Sequence, residues 1–312
     1  MQPKIHSWPT RNRALHAFAV FTACCTFLLI IAGALVTGND AGLAVPDWPL
    51  SYGSLTPPMI GGIFFEHGHR MVASFVGLLT IILAVWLWRK DDRPFVRRLG
   101  WTALAVVITQ GILGGITVLF FLPASISVLH ACLAQAFFCV VFSLALLTSE
   151  SWRRTTRRVV TDLKGASMRQ LAAWTTVSVY GQLILGAALR HSKKGLIWHV
   201  VGAFVVTFLV IWTVARVYKY YANIPLLFRP AMILGILLAT QLSLGVGSYL
   251  VRLASREDVQ PSTMMVTVTT AHVATGAAVL VTSLLLALQC RRLLIPSKAE
   301  MRMTSIPQEA TS

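Results

Sequence analysis

Charge is what this sequence has least of. Only 12% of its 312 residues are Asp, Glu, Lys or Arg. Soluble domains of this length carry roughly twice that share, so a water-soluble globule is excluded. Strict apolar–polar alternation is missing as well, which removes a transmembrane barrel. Cysteine is sparse. Cys24, Cys25, Cys132, Cys139 and Cys290 all lie within or at the inner end of apolar runs, and no CxxC pair occurs. A disulfide framework is therefore excluded, and the five read as small buried residues. Acids are the rarest charged class, 11 against 27 bases.

What is there is apolar. Hydrophobic residues make up 56% of the chain, and the mean hydropathy is +0.70. Continuous apolar runs approach or exceed the ~20 residues a helix needs to cross a bilayer, and lipid requires every backbone group to be paired internally. The reading is an all-α polytopic membrane protein with eight spans near 16–37, 64–88, 98–121, 126–148, 170–189, 196–217, 228–251 and 266–289. The first run is longer than a signal-peptide core and lacks a cleavage site, so it reads as a retained helix.

Mapping the bases explains the net charge of +16. The first two outer loops carry no Lys or Arg, the other two carry only Arg190, Lys193, Lys194, Arg252 and Arg256, and nearly all the rest fall on the opposite side. That bias places both termini in the cytoplasm. Anionic membrane lipid accounts for clusters such as Arg153, Arg154, Arg157 and Arg158, and no nucleic-acid partner is needed.

The halves repeat. Span 3 contains TQGILGGIT at 109–117 and span 7 contains TQLSLGVGS at 240–248; span 5 has a partial version from Gln182 to Gly186. His69 and His199 open spans 2 and 6, while His130 and His272 sit in spans 4 and 8. The expected organisation is a cytoplasmic N-terminus at 1–15 and two pseudo-symmetric four-helix bundles at 16–148 and 170–290. A linker at 149–169 joins them, and a disordered cytoplasmic tail covers 291–312. The repeat glycines read as helix-packing positions, or as room for a large flat ligand. Gln110 and Gln241 are expected to bond across helices.

Ionisable groups inside a membrane are costly and usually face a bundle interior or a bound group. Four histidines at matching places in a twofold repeat therefore point to ligands. Two imidazoles on facing helices form an axial pair for haem iron. Zinc competes, but a tetrahedral site would recruit further cysteine or carboxylate ligands. The expectation is one haem site per half, near the outer surface. His6 and His16 read as incidental and His191 as solvated.

The halves differ at IFFEHGHR, residues 63–70. Glu66 precedes His69 by three residues, so both share a helix face, and Arg70 at i+4 can pair with Glu66 or reach a haem propionate. His67 falls on another face and is left outside the pocket. The stretch around His199, KGLIWHVVG, has neither the acid nor the arginine. The first half thus reads as reactive and the second as a plain bis-histidine carrier. The loop GNDAGLAVPDWPLSYGSLTPPMIGG at 38–62 is either an interfacial loop with an aromatic anchor or a lid over the first site.

GNDAGLAVPDWPLSYG, EHGHR, VLHACLAQ at 128–135, LIWHVVGAF at 196–204 and TAHVATGA at 270–277 together resemble the heme A synthase family of the CtaA type. The likeness covers about residues 16–290. It implies oxidation of the C8 methyl of heme O to the formyl group of heme A, for heme–copper oxidases. It also implies that His69 and His130 flank the substrate haem and that His199 and His272 ligate a heme b cofactor. Glu66 would be the essential acid, with Arg70 supporting it. Implied partners are heme O itself, a heme O synthase and terminal-oxidase assembly factors, in a bacterial plasma membrane; a homo-oligomer is left open. Some members carry a cysteine pair near PDWPL. Here Val45 and Ser51 flank that segment and the loop has no cysteine, so any role of that pair cannot apply. The alternatives are a non-enzymatic di-haem b-type cytochrome and a haem-delivery factor.

Overall fold

The computed structural model describes residues 10–154, 160–162, 167–255 and 258–295. It is built almost wholly from helices: α1 Thr10–Gly38, α2 Gly61–Lys90, α3 Pro94–Leu119, α4 Ala124–Thr148, the short α5 Glu150–Arg154, α6 Met168–Ser192, α7 Leu196–Tyr221, α8 Pro225–Ala254 and α9 Thr263–Leu293. Eight of them are long and apolar enough to cross a membrane. The chain is a multi-pass membrane protein. A helix of 25–31 residues is ~37–47 Å long and overshoots a ~30 Å hydrocarbon core. Apolarity therefore marks the middle of each helix, and the helices run past the expected spans at several ends.

Prolines and caps set several ends. Pro94 and Pro225 open α3 and α8, where a missing N–H costs nothing. Ser262 caps α9 by accepting from the Met265 N–H. The outer turn between α6 and α7 is only three residues long, and Lys193 and Gly195 adopt left-handed backbone.

In the first half α1 to α4 close a ring in which each helix packs on the next and α4 returns to α1. Helices α6 to α9 form the same ring. Each ring has its own apolar core: Leu15, Val76, Leu83, Val96, Phe137 and Leu144 in the first, Leu171, Val210, Leu227, Leu234 and Leu286 in the second. The halves meet through α1 on α9 and α4 on α6, two contacts that exchange when the halves are exchanged, with Ile30, Phe138, Ala277 and Val281 filling the seam. Pseudo-symmetry equates α1 with α6, α2 with α7, α3 with α8 and α4 with α9.

Two buried aspartates knit the end of the bundles opposite the 38–62 loop. Asp91, after α2, receives a two-toothed bond from Arg93 at 2.7 and 2.9 Å and a second guanidinium from Arg153. Arg93 also reaches the Leu147 carbonyl at 3.0 Å. Asp162 accepts from Tyr221 Oη at 2.7 Å and Ser167 Oγ at 2.8 Å, beside a two-residue parallel ladder joining Val160–Thr161 to Leu294–Ile295. Arg292 stacks over the Trp152 ring at 4.4 Å. Residues 291–295, expected in the tail, are thus helix and strand; the expected disorder of the rest of the tail lies outside the described residues, as do residues 1–9 and part of the linker. His16 is also not incidental: its Nδ1 donates to the Ala145 carbonyl at 3.0 Å and ties α1 to α4.

Burial pushes the Asp91 carboxyl up, but the Arg93 hydrogen bonds and the charges of Arg93 and Arg153 outweigh it and hold it below its ordinary 3.8. A lowered folded value gives stability that is present above pH ~4 and lost as pH falls through the folded value. Asp91→Asn should lower stability by about 1–3 kcal/mol, less than a fully buried pair because both arginines keep some solvent. Thermal unfolding in detergent should show a lower Tm for the variant and a shallower fall below pH 4.

Candidate functional site

Each of the four repeated histidines rests on a glycine of the preceding membrane helix. A Cβ added at Gly33, Gly114, Gly186 or Gly245 would lie 3.1–3.3 Å from Cε1 of His69, His130, His199 or His272 respectively. These glycines are neither simple backbone-packing positions nor open space. They are seats for the edges of imidazole rings. His199 and His272 face each other with ring centres 6.5 Å apart and planes 72° apart. Metal–imidazole bonds of about 2 Å, plus the ring radius on each side, span roughly 6 Å, close to this separation of the ring centres. Among the described residues no group of three or more His, Cys, Asp or Glu could hold a metal ion. The donor set suits an axial pair rather than a tetrahedral zinc site.

Glutamines lie one turn inward of three seats. Gln110 Nε2 donates to the His130 carbonyl at 2.9 Å. Gln182 Nε2 lies 2.8 Å from the His199 carbonyl and 3.1 Å from His199 Nδ1. Gln241 Nε2 is 3.4 Å from His272 Nε2. The expected cross-helix bonds of Gln110 and Gln241 thus end on the histidines. His191 is half-buried rather than freely solvated.

The halves part at the first outer loop. Glu66 is 3% exposed, and its two oxygens receive Arg70 Nη2 at 2.6 Å and the Val45 N–H at 2.8 Å. Arg70 turns its other nitrogen to the Asp47 and Leu50 carbonyls, both at 2.7 Å. One planar guanidinium thereby holds the α2 carboxylate and the loop backbone at once. His67 does not point to the histidine site, yet it is buried, and its Nδ1 shares a 2.8 Å hydrogen bond with Ser51 Oγ. Sequence reasoning missed this role; the signal was the adjacency of His67 to Glu66 on a helix that begins under the loop.

The loop has its own order. Ser51 and Ser54 exchange backbone hydrogen bonds around Tyr52 and Gly53, both at positive φ, the pattern of a two-residue hairpin turn. The Asp47 carboxylate accepts from the Gly53 and Tyr52 N–H groups, and those bonds hold it below the usual carboxylate range. Trp48 lies flat on Gly115 of α3, where a Cβ would come within 2.8 Å of its ring. The loop is fastened across α2 and α3 as a cap. The short turn between α6 and α7 has no equivalent of it.

The fold and the site define a class: a helical membrane protein of two repeated bundles, each with a seated histidine pair, one of them capped. Residues 60–198 match the model of the family described as Cytochrome oxidase assembly protein, COX15-CtaA. That stretch opens at α2, contains Glu66, His67, His69, Arg70, Gln110 and His130, and stops one residue before His199. Curated relatives named Heme A synthase are similar to the chain. The one from Lysinibacillus sphaericus is 32% identical over 60% of this chain and 61% of its own length. Those from Bacillus pumilus and Bacillus licheniformis are 32% and 30% identical, each over 59% of this chain and 61% of their own. The chain thus spans about three fifths of the length of these relatives. Over residues 60–198 it is similar to the COX15-CtaA family.

Hydrogen bonds to a charged group are worth about 1.5–3 kcal/mol each. Arg70→Lys, which loses the fork, should speed limited proteolysis within 45–54 at least roughly tenfold while the helices remain protected. Ser51→Ala should have a smaller effect of the same sign.

Proposed function

We propose that this protein is a heme A synthase, which oxidises the C8 methyl of a heme O substrate to a formyl group. The observation that carries the reading is the asymmetry. Both halves hold a seated histidine pair, but only the first has the buried Glu66–Arg70 pair under a fastened loop. The naming of the curated relatives supports it. In this reading His69 and His130 flank the substrate haem, and His199 and His272 hold a heme b, which when bound passes electrons. The Lys/Arg bias supports cytoplasmic termini, and the reading takes the membrane to be a bacterial plasma membrane. Heme O would arrive from a heme O synthase, and the product would leave toward terminal-oxidase assembly.

Methyl-to-formyl oxidation with oxygen taken from water releases four protons and four electrons, and the electrons must leave to an external oxidant by way of the electron-carrying half. A carboxylate offers about four lone-pair sites. With Arg70 and Val45 occupying one on each oxygen, Glu66 keeps room to accept a proton from an attacking water. Arg70 and Val45 hold that carboxylate in one orientation, so the acceptor is preorganised. The cap keeps bulk water from the reacting carbon. Arg70 is committed to Glu66 and the loop, which leaves it less free for a propionate than the sequence suggests.

The test is expression in a host that makes heme O but no heme A, followed by chromatography of the extracted haems. Wild type should yield heme A. Glu66→Gln should retain haem and lose at least ~100-fold of product, the scale of a general base. Heme B alone from wild type would favour the di-haem cytochrome, and full product from the Gln variant would remove Glu66 from the chemistry.

A further inference from the structure

Bases on the outer side run against the charge bias of a membrane protein. In the outer loops and the helix ends that enter them, they occur only in the second half, as Arg190, Lys193, Lys194, Arg252 and Arg256. Two of these are in register with the histidine seats. Arg190 stands four residues after Gly186 on α6, and Arg252 stands seven residues after Gly245 on α8. Both spacings return to the same helix face, and both lead toward the outer helix ends, ~6 and ~10 Å beyond the seats. Helices α6 and α8 are opposite corners of the second ring, and His199 and His272 come from the other two corners, α7 and α9. A haem plane lies across the line joining its axial ligands. A haem held by that pair therefore extends toward the two corners that carry the arginines.

The two guanidinium groups also converge. Arg190 feels the charge of Arg252, and both feel Asp40 at the outer end of α1. Among the described residues neither arginine has a hydrogen bond or an ion pair, with Asp40 or with any other group. Arg190 is half-buried, so its charge is set into the mouth of the bundle. Like charges brought together repel, and an anion between them removes that cost. A base in the last turn also suits a helix C-terminus, but the last turns of α1 and α3 have none. Pseudo-symmetry puts Thr37 and Phe121 in the equivalent places of the first half, where Arg70 is bonded to Glu66 and the loop.

We propose that Arg190 and Arg252 bind the two propionate carboxylates of the haem held by His199 and His272, and that this clamp belongs to the second half alone. A guanidinium matches a carboxylate as a two-toothed donor. Both propionates leave from one edge of the porphyrin, so the two arginines fix which edge of the ring faces the outer surface. This inference rests on the two-haem reading above.

The experiment uses the full-length protein in detergent, with His69→Ala and His130→Ala so that only the second site takes up haem. Ferric haem b and its propionate dimethyl ester, which has no free carboxylate, are titrated in turn and followed by the Soret band. Arg190→Gln and Arg252→Gln should each weaken binding of the free-acid haem about tenfold, the scale of one charge-assisted hydrogen bond. Both should keep the bis-histidine spectrum, and neither should weaken binding of the ester. Lys194→Gln, at an outer base beyond the end of α6, should change neither titration. Unchanged free-acid affinity in both arginine variants, or an equal loss for the free acid and the ester, would overturn the proposal and leave the two-haem reading intact. Phosphatidylglycerol that co-purifies with the parent and is lost from the arginine variants, with haem affinity unaltered, would assign the arginines to a lipid headgroup and overturn it too. A parent protein that takes up neither haem would overturn both.

Discussion

The guanidinium of Arg70 is the contact on which the first half depends. It faces a buried carboxylate on its own helix and two loop carbonyls at the same time. A lysine could pair with Glu66 but not with both partners in one plane. Because Arg70 is committed, Glu66 has a fixed orientation, and because Glu66 also receives the Val45 N–H, the loop closes over α2. The Gly- and Pro-rich connection 38–62 is thereby fastened at residues 45–51 as a cap. The second half lacks the arginine, the acid and the loop together, which is what one expects if they form a single device.

Beneath that device lies a repeated unit of simpler design. A glycine on one helix admits the edge of an imidazole from the next, and at two of the seats a glutamine one turn inward bonds the backbone carbonyl of that histidine. Ionisable side chains in a membrane must have a partner or a function. The glycine seats explain how four imidazoles fit between close-packed helices. The repeat is common to both halves, and the Glu66–Arg70 pair under the fastened loop is where the first departs from it.

Much of this was legible in the sequence, and the reason is physical. Apolar runs longer than a bilayer can only be helices, so the eight spans could be read directly, although their ends could not, since helices such as α8 and α9 continue beyond the apolar core. The histidine repeat was legible because histidine is rare and costly in such a setting. The GLG-type repeats showed Gly114 and Gly245 but hid Gly33, because Leu29 breaks the motif that would have marked α1 as its fourth copy. The bonds of His67 and His16 were not legible, since their partners, Ser51 and the Ala145 carbonyl, are distant in sequence and only the folded chain brings them near. The Val160–Leu294 ladder is two residues long, too short to leave any pattern.

The central claim is a division of labour between the halves, and haem content measures it most directly. Proteins carrying His69→Ala with His130→Ala, or His199→Ala with His272→Ala, would be purified from a host that makes both heme B and heme O, and their haems extracted and separated by chromatography. The account predicts that the first pair of substitutions removes heme O and heme A and leaves heme B, and that the second removes heme B. Loss of the same haem from both proteins would contradict it.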